Sequence, residues 1–251
     1  MRIAVLPDTQ VRPGVRTDHL EWAGKYIHEK QPDIIVHLGD HWDMPSLSSY
    51  DRGKGSAEGR RVAQDIESGN VALRVFTDSL VGRGKTRPRL VLLRGNHEER
   101  LERYVNDHPE LAGAVGYHQF NDVSLGWEVV PFLQPIEVGG VSFCHYFPRG
   151  SDGSVGQTKR GAPSARAQLL REMQSCVAGH RQGLDLAVHT NGKRTLRSII
   201  AGSFYQHSEG YLSPQGNHHW RGILLLNEVK QGNFCLLEVS LDYLRRRYGG
   251  K

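Results

Sequence analysis

Five short apolar runs in this chain end abruptly in residues able to bind a metal ion. Ile3-Ala4-Val5-Leu6 gives way to Asp8, Ile34-Ile35-Val36-His37-Leu38 to Gly39-Asp40, and Leu90-Val91-Leu92-Leu93 to Arg94-Gly95-Asn96-His97-Glu98. Val141-Ser142-Phe143-Cys144 delivers His145, and Cys176-Val177-Ala178-Gly179 delivers His180. Carboxylate, amide oxygen and imidazole donors together suit manganese, iron, zinc or nickel and exclude a soft thiolate site. Glycines beside Asp40, Asn96 and His180 let the backbone turn sharply and come close to a bound anion.

The elements that must position these residues follow from the same pattern. Runs this short, rich in Val, Ile and Leu and bounded by Gly or Pro, predict strands buried on both faces. Between them lie helical stretches. Asp18 is placed to cap a helix carrying Leu20, Ala23 and Ile27 that ends before Pro32. A second helix spans 60–80 with Val62, Ile66, Leu73 and Phe76 on one side, and a third starts near His97 with Leu101, Tyr104 and Val105. Strands alternating with helices imply right-handed crossovers and a largely parallel sheet, whose carboxyl ends gather ligands. The second half reads as mostly antiparallel: hairpins at Gly139-Gly140, at Asn191-Gly192 and at Gln231-Gly232-Asn233, with a helix over 165–173. The stretches 53–59 and 150–156 are loops. Two sheets packed face to face with helices outside would bury both sets.

Composition bounds the rest. The chain has 251 residues, which suits one domain spanning 1–251. A mean hydropathy of −0.50 and the lack of any apolar run near ~18 residues exclude a membrane span. No secretory apolar segment follows Met1-Arg2, and three cysteines (Cys144, Cys176, Cys235) have no zinc spacing, so a reduced cytoplasmic setting is expected. The net charge of +5 and pI near 9.2, with basic groups at Lys85-Thr86-Arg87-Pro88-Arg89, Lys159-Arg160 and Arg245-Arg246-Arg247, suit a polyanionic partner such as nucleic acid.

Asp-x-Gln near the N-terminus, Gly-Asp-x-x-Asp, Gly-Asn-His-Glu, a strand-end His and a final Gly-His pair, in order over residues 3 to about 182, resemble the calcineurin-like metallophosphoesterase superfamily. The resemblance implies an α/β fold, a four-layer αββα sandwich of two mixed sheets flanked by helices, with a two-metal site. Asp40 would bridge the metals, Asp8 and Gln10 would hold the first, and Asn96, His145 and His180 the second. By the same resemblance Gln182 would also belong to the first metal. The family has His at the positions of Gln10 and Gln182; two neutral amides in their place imply a weaker first site that prefers manganese or magnesium to zinc. Manganese is expected first, with magnesium, iron, nickel or zinc as alternatives. Tyr146 after His145, and the lack of Arg-Gly directly after Asp43, argue against a protein phosphatase proper.

The implied chemistry is hydrolysis of a phosphate ester. Two cations ~3.5–4 Å apart would clamp the phosphoryl group and activate a shared water as hydroxide. His97 would protonate the leaving oxygen, oriented by Asp43, and Arg94 would pair with a phosphate oxygen of the substrate. The superfamily's nucleases tilt the reading towards a phosphodiesterase. A phosphomonoesterase acting on a nucleotide or phosphoprotein, and a degenerate phosphate-binding scaffold that has lost its first metal, are the alternatives.

The remaining histidines and charges have plainer readings. His41 is a substrate contact or a loop residue, His37 a hydrogen-bonded core residue, and His189 a solvent-facing strand residue. His218 and His219 either border the site mouth or do nothing. Arg245 to Arg247 read as a solvated tail. Glu98, Glu99, Arg100 and Arg103 read as helix-dipole and i,i+4 support.

Overall fold

Consecutive residues in the early strands feed two different cores, which explains why their sequences are apolar without alternation. A computed structural model of the protein describes residues 1–80, 87–148, 162–190, 192–210 and 212–250. The 150–156 loop, the Lys159-Arg160 and Lys85-Thr86 groups and Asn191 of the predicted hairpin lie outside the described residues. In β1 (Ile3–Leu6), Ala4 and Leu6 face one core while Ile3 and Val5 face the other. The same period of two divides β2 (Ile34–His37) and β3 (Arg89–Leu93), where Leu90 and Leu92 part from Val91 and Leu93.

The first of two mixed sheets has the order β11-β10-β1-β2-β3-β4, with β4 at Glu128–Val130, β10 at Gly222–Lys230 and β11 at Asn233–Ser240. Strands β1 to β4 are parallel, and β10 joins β1 antiparallel, pairing Ala4 with Leu225. The second sheet has the order β5-β6-β7-β9-β8: Ile136–Val138, Val141–Cys144, Ser175–Ala178, Thr195–Ala201 and Leu184–Thr190. All three predicted hairpins form between paired strands.

The expectation of a mostly antiparallel second half needs correction. β6, β7 and β9 run parallel, because helix α4 (Ala165–Glu172) crosses between β6 and β7 and β8 lies outside β9 at the sheet edge. The last hairpin leaves this sheet and completes the first one. Between the sheets pack Val36, Leu38 and Leu93 against Phe143, Val177 and Ile199.

Helices α1 (Asp18–Lys30), α2 (Val62–Ser79) and α5 (Leu241–Tyr248) cover the outer face of the first sheet through Leu20, Ile27, Leu73, Phe76 and Leu244. Helix α4 covers the second through Ala165, against Cys176 and Ile200. The layers are therefore αββα. Thr17 occupies the N-cap position of α1 and Asp18 is the first helical residue, where its carboxylate pairs with Arg16 rather than capping. The short α3 (Glu99–Asp107) begins two residues after His97.

Candidate metal centre

Each predicted ligand stands just beyond the carboxyl end of its strand: Asp8 after β1, Asp40 after β2, Asn96 after β3, His145 after β6 and His180 after β7. The turns after β1 and β2 run side by side, with the Gln10 N–H on the Asp40 carbonyl at 2.8 Å and Val11 on that of His41 at 2.7 Å. Close approach fixes two glycines. A Cβ on Gly95 would sit 2.1 Å from Asp40 Oδ1, and one on Gly179 2.4 Å from Asp8 Oδ1. These glycines admit the Asp40 and Asp8 carboxylates themselves, where the sequence suggested room for an anion.

The side chains meet in two groups. Asn96 Oδ1 lies 2.9 Å from His145 Nε2 and 2.6 Å from His180 Nδ1, and His145 Nε2 is 3.4 Å from Asp40 Oδ2. His145 Nδ1 donates to the Leu38 carbonyl at 2.7 Å, which turns Nε2 to face the group. Asp40, His145 and His180 each offer a ligand atom within 4.8 Å of the others. Beside them, Asp8 Oδ2 and Gln10 Oε1 are buried acceptors without a hydrogen-bond partner. An unpartnered buried acceptor costs its full desolvation, and a bound cation removes that cost.

The chemistry of the donors therefore fits divalent ions at both groups. Gln182 is the least committed to this purpose, since its Oε1 accepts the Tyr205 hydroxyl at 2.6 Å.

The charges respond to one another. Burial and the neighbouring Asp40 push the Asp8 carboxyl up to about 7. Burial opposes ionisation of Asp40 too, but His145 and His97 outweigh it and hold Asp40 well below the usual carboxylate range. Burial likewise disfavours charge on His145, yet Asp40 raises it to about 9. His180, buried and facing His145, falls to about 4.

His97 and Asp43 form a pair at the edge of this centre. His97 Nδ1 is 2.7 Å from Asp43 Oδ1, and His97 Nε2 lies 3.7 Å from Asp40 Oδ2. Asp43 is nearly buried, yet bonds from His97 and Arg12 hold it down to about 2 against its burial. Arg12 Nη1 lies 2.7 Å from Asp43 Oδ2 and 3.0 Å from Glu209.

Two residues expected at the substrate are elsewhere. Arg94 is 3% exposed, pairs with buried Asp122 at 2.6 Å and lies against the rings of Tyr117, Phe120 and Trp42. A guanidinium so enclosed cannot reach a phosphate. His41 is buried with both ring nitrogens engaged, Nδ1 with Thr9 Oγ1 at 2.7 Å and Nε2 with the Gly69 carbonyl at 2.9 Å.

Glu98, read as helix support, is instead fully buried and receives the backbone N–H groups of Gly95, Asp40, His41 and Trp42. Arg100 donates to the Asp43 carbonyl at 2.7 Å. Arg12, Glu209 and Tyr205 belong to no motif in the sequence; among these supporting residues only Glu98 carries a signal, as part of Gly-Asn-His-Glu. His37 is a bonded core residue and His189 is exposed, both as read. His219 bonds Ser203 Oγ at 2.8 Å, and Ser203 bridges Asp8 through the backbone, so it borders the centre. Arg247 pairs with Glu29 on the exposed end of α5.

Comparison with known proteins places these observations in a wider group. The sequence model for "Calcineurin-like phosphoesterase" matches residues 1–191. The Gene 54 protein of Mycobacterium phage L5 is 30% identical over 97% of this chain and 91% of its own length. The Gene 54 protein of Mycobacterium phage D29 is 26% identical over 86% of this chain and 90% of its own. A crystal structure of Vps29 from Chaetomium thermophilum covers 96% of this chain and 97% of that one, at 10% identity and a TM-score of 0.43.

Proposed function

The chain belongs to the calcineurin-like phosphoesterase family, a family of metal-dependent phosphoric ester hydrolases with a dinuclear centre, and from that premise we propose that it cleaves a phosphodiester, with nucleic acid as the substrate class. The observation that carries the reading is the His97 imidazole. It is tied to Asp43 on one side and faces Asp40 on the other, beside the Asp40, His145 and His180 cluster.

Asp8, Gln10, Asp40, Asn96, His145 and His180 are read as the residues that hold the ions, with Gln182 as a further contributor to the first. Two divalent ions bound there would supply Lewis acidity to the phosphoryl oxygens and lower the pKa of an attacking water. The protein's own groups do the rest. Asp43 accepts the Nδ1 proton of His97, fixing the ring so that Nε2 carries the proton given to the departing oxygen. Glu98 fixes the backbone from which Asp40 and Asp43 project.

Support for a diester with an aromatic base comes from the rim. Tyr146 and Phe132 are partly exposed there, with ring centroids 5.8 Å apart and Tyr146 4.7 Å from His180. Such rings offer stacking faces to bases, and the net charge of +5 favours a polyanion. Manganese is the first choice of metal, because hard amide oxygens replace two imidazoles. The whole chain is read as one domain, since β10 and β11 complete the sheet that β1 begins. All three cysteines are unpaired, which fits a reduced cytoplasmic setting, and no helix among the described residues is long and apolar enough to cross a membrane.

The test is a panel of divalent metals crossed with phosphomonoesters, bis-p-nitrophenyl phosphate and single- and double-stranded DNA. Manganese-dependent diester turnover, abolished in Asn96→Ala, is the expected result. Turnover of monoesters alone would reassign the substrate, and no turnover with any metal would leave a phosphate-binding scaffold.

A further inference from the structure

We infer that Arg12, anchored by Glu209, is a positioning residue for the general acid: it locks the Asp43 carboxylate in the orientation that aims His97 at the reacting centre. The inference rests on the phosphoesterase reading above and adds a layer to the site in which Arg12 is anchored by Glu209, a residue beyond the span 1–191 that the family model matches.

The arrangement follows from the backbone. The parallel run of the two strand-end turns, closed by the Asp43 N–H on the Val11 carbonyl at 2.9 Å, sets Arg12 directly beside Asp43. A carboxylate held through Oδ1 alone, by His97 at 2.7 Å with Arg100 Nη1 at 3.8 Å, could still rotate about its χ2 bond. Arg12 Nη1 occupies the other oxygen, Oδ2, at 2.7 Å. The same nitrogen reaches Glu209 Oε1 and Oε2, each at 3.0 Å, so one guanidinium nitrogen serves two carboxylates.

Glu209 is itself fixed. Its side chain is 4% exposed and 2.7 Å from His207 Nε2. Its backbone N–H donates to Asn217 Oδ1 at 2.8 Å, and Asn217 Nδ2 donates back to its carbonyl at 3.1 Å. His207 stacks on Tyr205 with centroids 4.4 Å apart, and the Tyr205 hydroxyl holds Gln182. Tyr205 and Glu209 thereby reach both sides of the centre, Glu209 bracing the acid through Arg12 and Tyr205 holding the Gln182 side chain.

A group that only stabilises the fold would slow every substrate alike. A group that aims the acid matters where the leaving oxygen needs a proton. The test compares bis-p-nitrophenyl phosphate, whose leaving group needs little help, with a dinucleoside monophosphate, whose alkoxide needs much. It uses wild type, Arg12→Ala, Arg12→Lys and Glu209→Gln, each also combined with His97→Ala, in the full chain with manganese.

Arg12→Ala should lower kcat on the dinucleotide by about ten- to a hundredfold, the scale of a misplaced catalytic group, and on the nitrophenyl ester by less than about threefold. Arg12→Lys should recover part of the loss. Once His97 is alanine, removing Arg12 should change neither rate. If Arg12→Ala fails to fold, Arg12→Lys and Glu209→Gln carry the same comparison with a smaller selective loss. Equal losses on both esters, or losses that persist in the His97→Ala background, would overturn the inference while leaving the phosphoesterase reading intact. No metal-dependent turnover of either ester by wild type would overturn both.

Discussion

Glu98 accepts the backbone N–H of Asp40 at 3.0 Å through one carboxylate oxygen, while the other takes those of His41 and Trp42. A glutamate from the third strand-end turn thereby shapes the second. Because a carboxylate is acceptor-only, it can satisfy several converging donors at once. Replacing Glu98 by Gln puts an NH2 group against backbone donors. Bonds to a charged group contribute about 1.5–3 kcal/mol each, so we expect Glu98→Gln to lose about 3 kcal/mol in denaturant unfolding. Manganese affinity should fall about tenfold or more, because the turn that aims Asp40 loosens. Wild-type metal affinity in a calorimetric titration of Glu98→Gln would show that Asp40 is held by something else.

Arg94 is expected to matter for stability and not for substrate. It is the counter-ion of Asp122, which is almost fully buried, inside a box of three aromatic rings. Breaking a buried pair by removing one partner costs about 3–5 kcal/mol, since the other charge is left uncompensated. Arg94→Met should therefore unfold at much lower denaturant concentration. Per folded molecule, its KM should stay within about threefold of wild type. A KM increase above about tenfold without lost stability would return Arg94 to the substrate.

The strand-end donor residues were legible because each is local: an apolar run and the donor after it lie within a few residues, and the ordered motifs group them. The two cores were legible from the same runs, since strands covered on both faces need no polar alternation. What stayed hidden depends on distant partners. Glu98 sits 58 residues from Asp40, and Arg12 finds Glu209 across 197 residues. Arg94 misled because a guanidinium two residues from a candidate metal donor suits phosphate equally well on paper. Its true partner, Asp122, lies in an irregular segment with no motif. His41 looked available because its loop is polar, yet the α2 backbone at Gly69 closes over it.

Acid should unfold the protein earlier than its carboxylates alone would require. His19, His37 and His41 are held neutral by burial, His19 pushed down to about 3 and His41 to about 4. Their unfolded value is near 6.5. Groups depressed in this way add stability above pH 6.5 that is lost as pH falls towards the folded value, because the unfolded chain binds the extra proton. His19 and His41 each contribute a slope of about 1.4 kcal/mol per pH unit between about pH 6.5 and 4, and His37 acts in the same direction. His41→Gln, which keeps a donor for the Gly69 carbonyl, should flatten the slope by about one such increment. Denaturant midpoints measured at half-unit pH intervals decide the point; identical slopes for variant and wild type would count against a neutral buried His41.

The two metal groups should bind unequally. Asn96, His145 and His180 gather one amide and two imidazoles around Asp40, whereas Asp8 is joined on its side by Gln10, an amide whose Oε1 is buried without a partner. Gln182 is drawn off by the Tyr205 hydroxyl. Amide oxygen is a weaker and harder donor than imidazole, so this group should hold manganese loosely and zinc more loosely than an all-histidine version. Dialysed wild-type protein should retain about one tightly bound metal and regain the second only at added concentration. Gln10→His should raise affinity at the weaker site and shift its preference towards zinc. Tyr205→Phe, which removes the hydroxyl bonded to Gln182 Oε1, should tighten manganese there without that shift. Metal analysis finding two stoichiometric zinc ions in dialysed wild type would refute the asymmetry, and equal manganese affinity in Gln10→His and wild type would remove Gln10 from the ligand set.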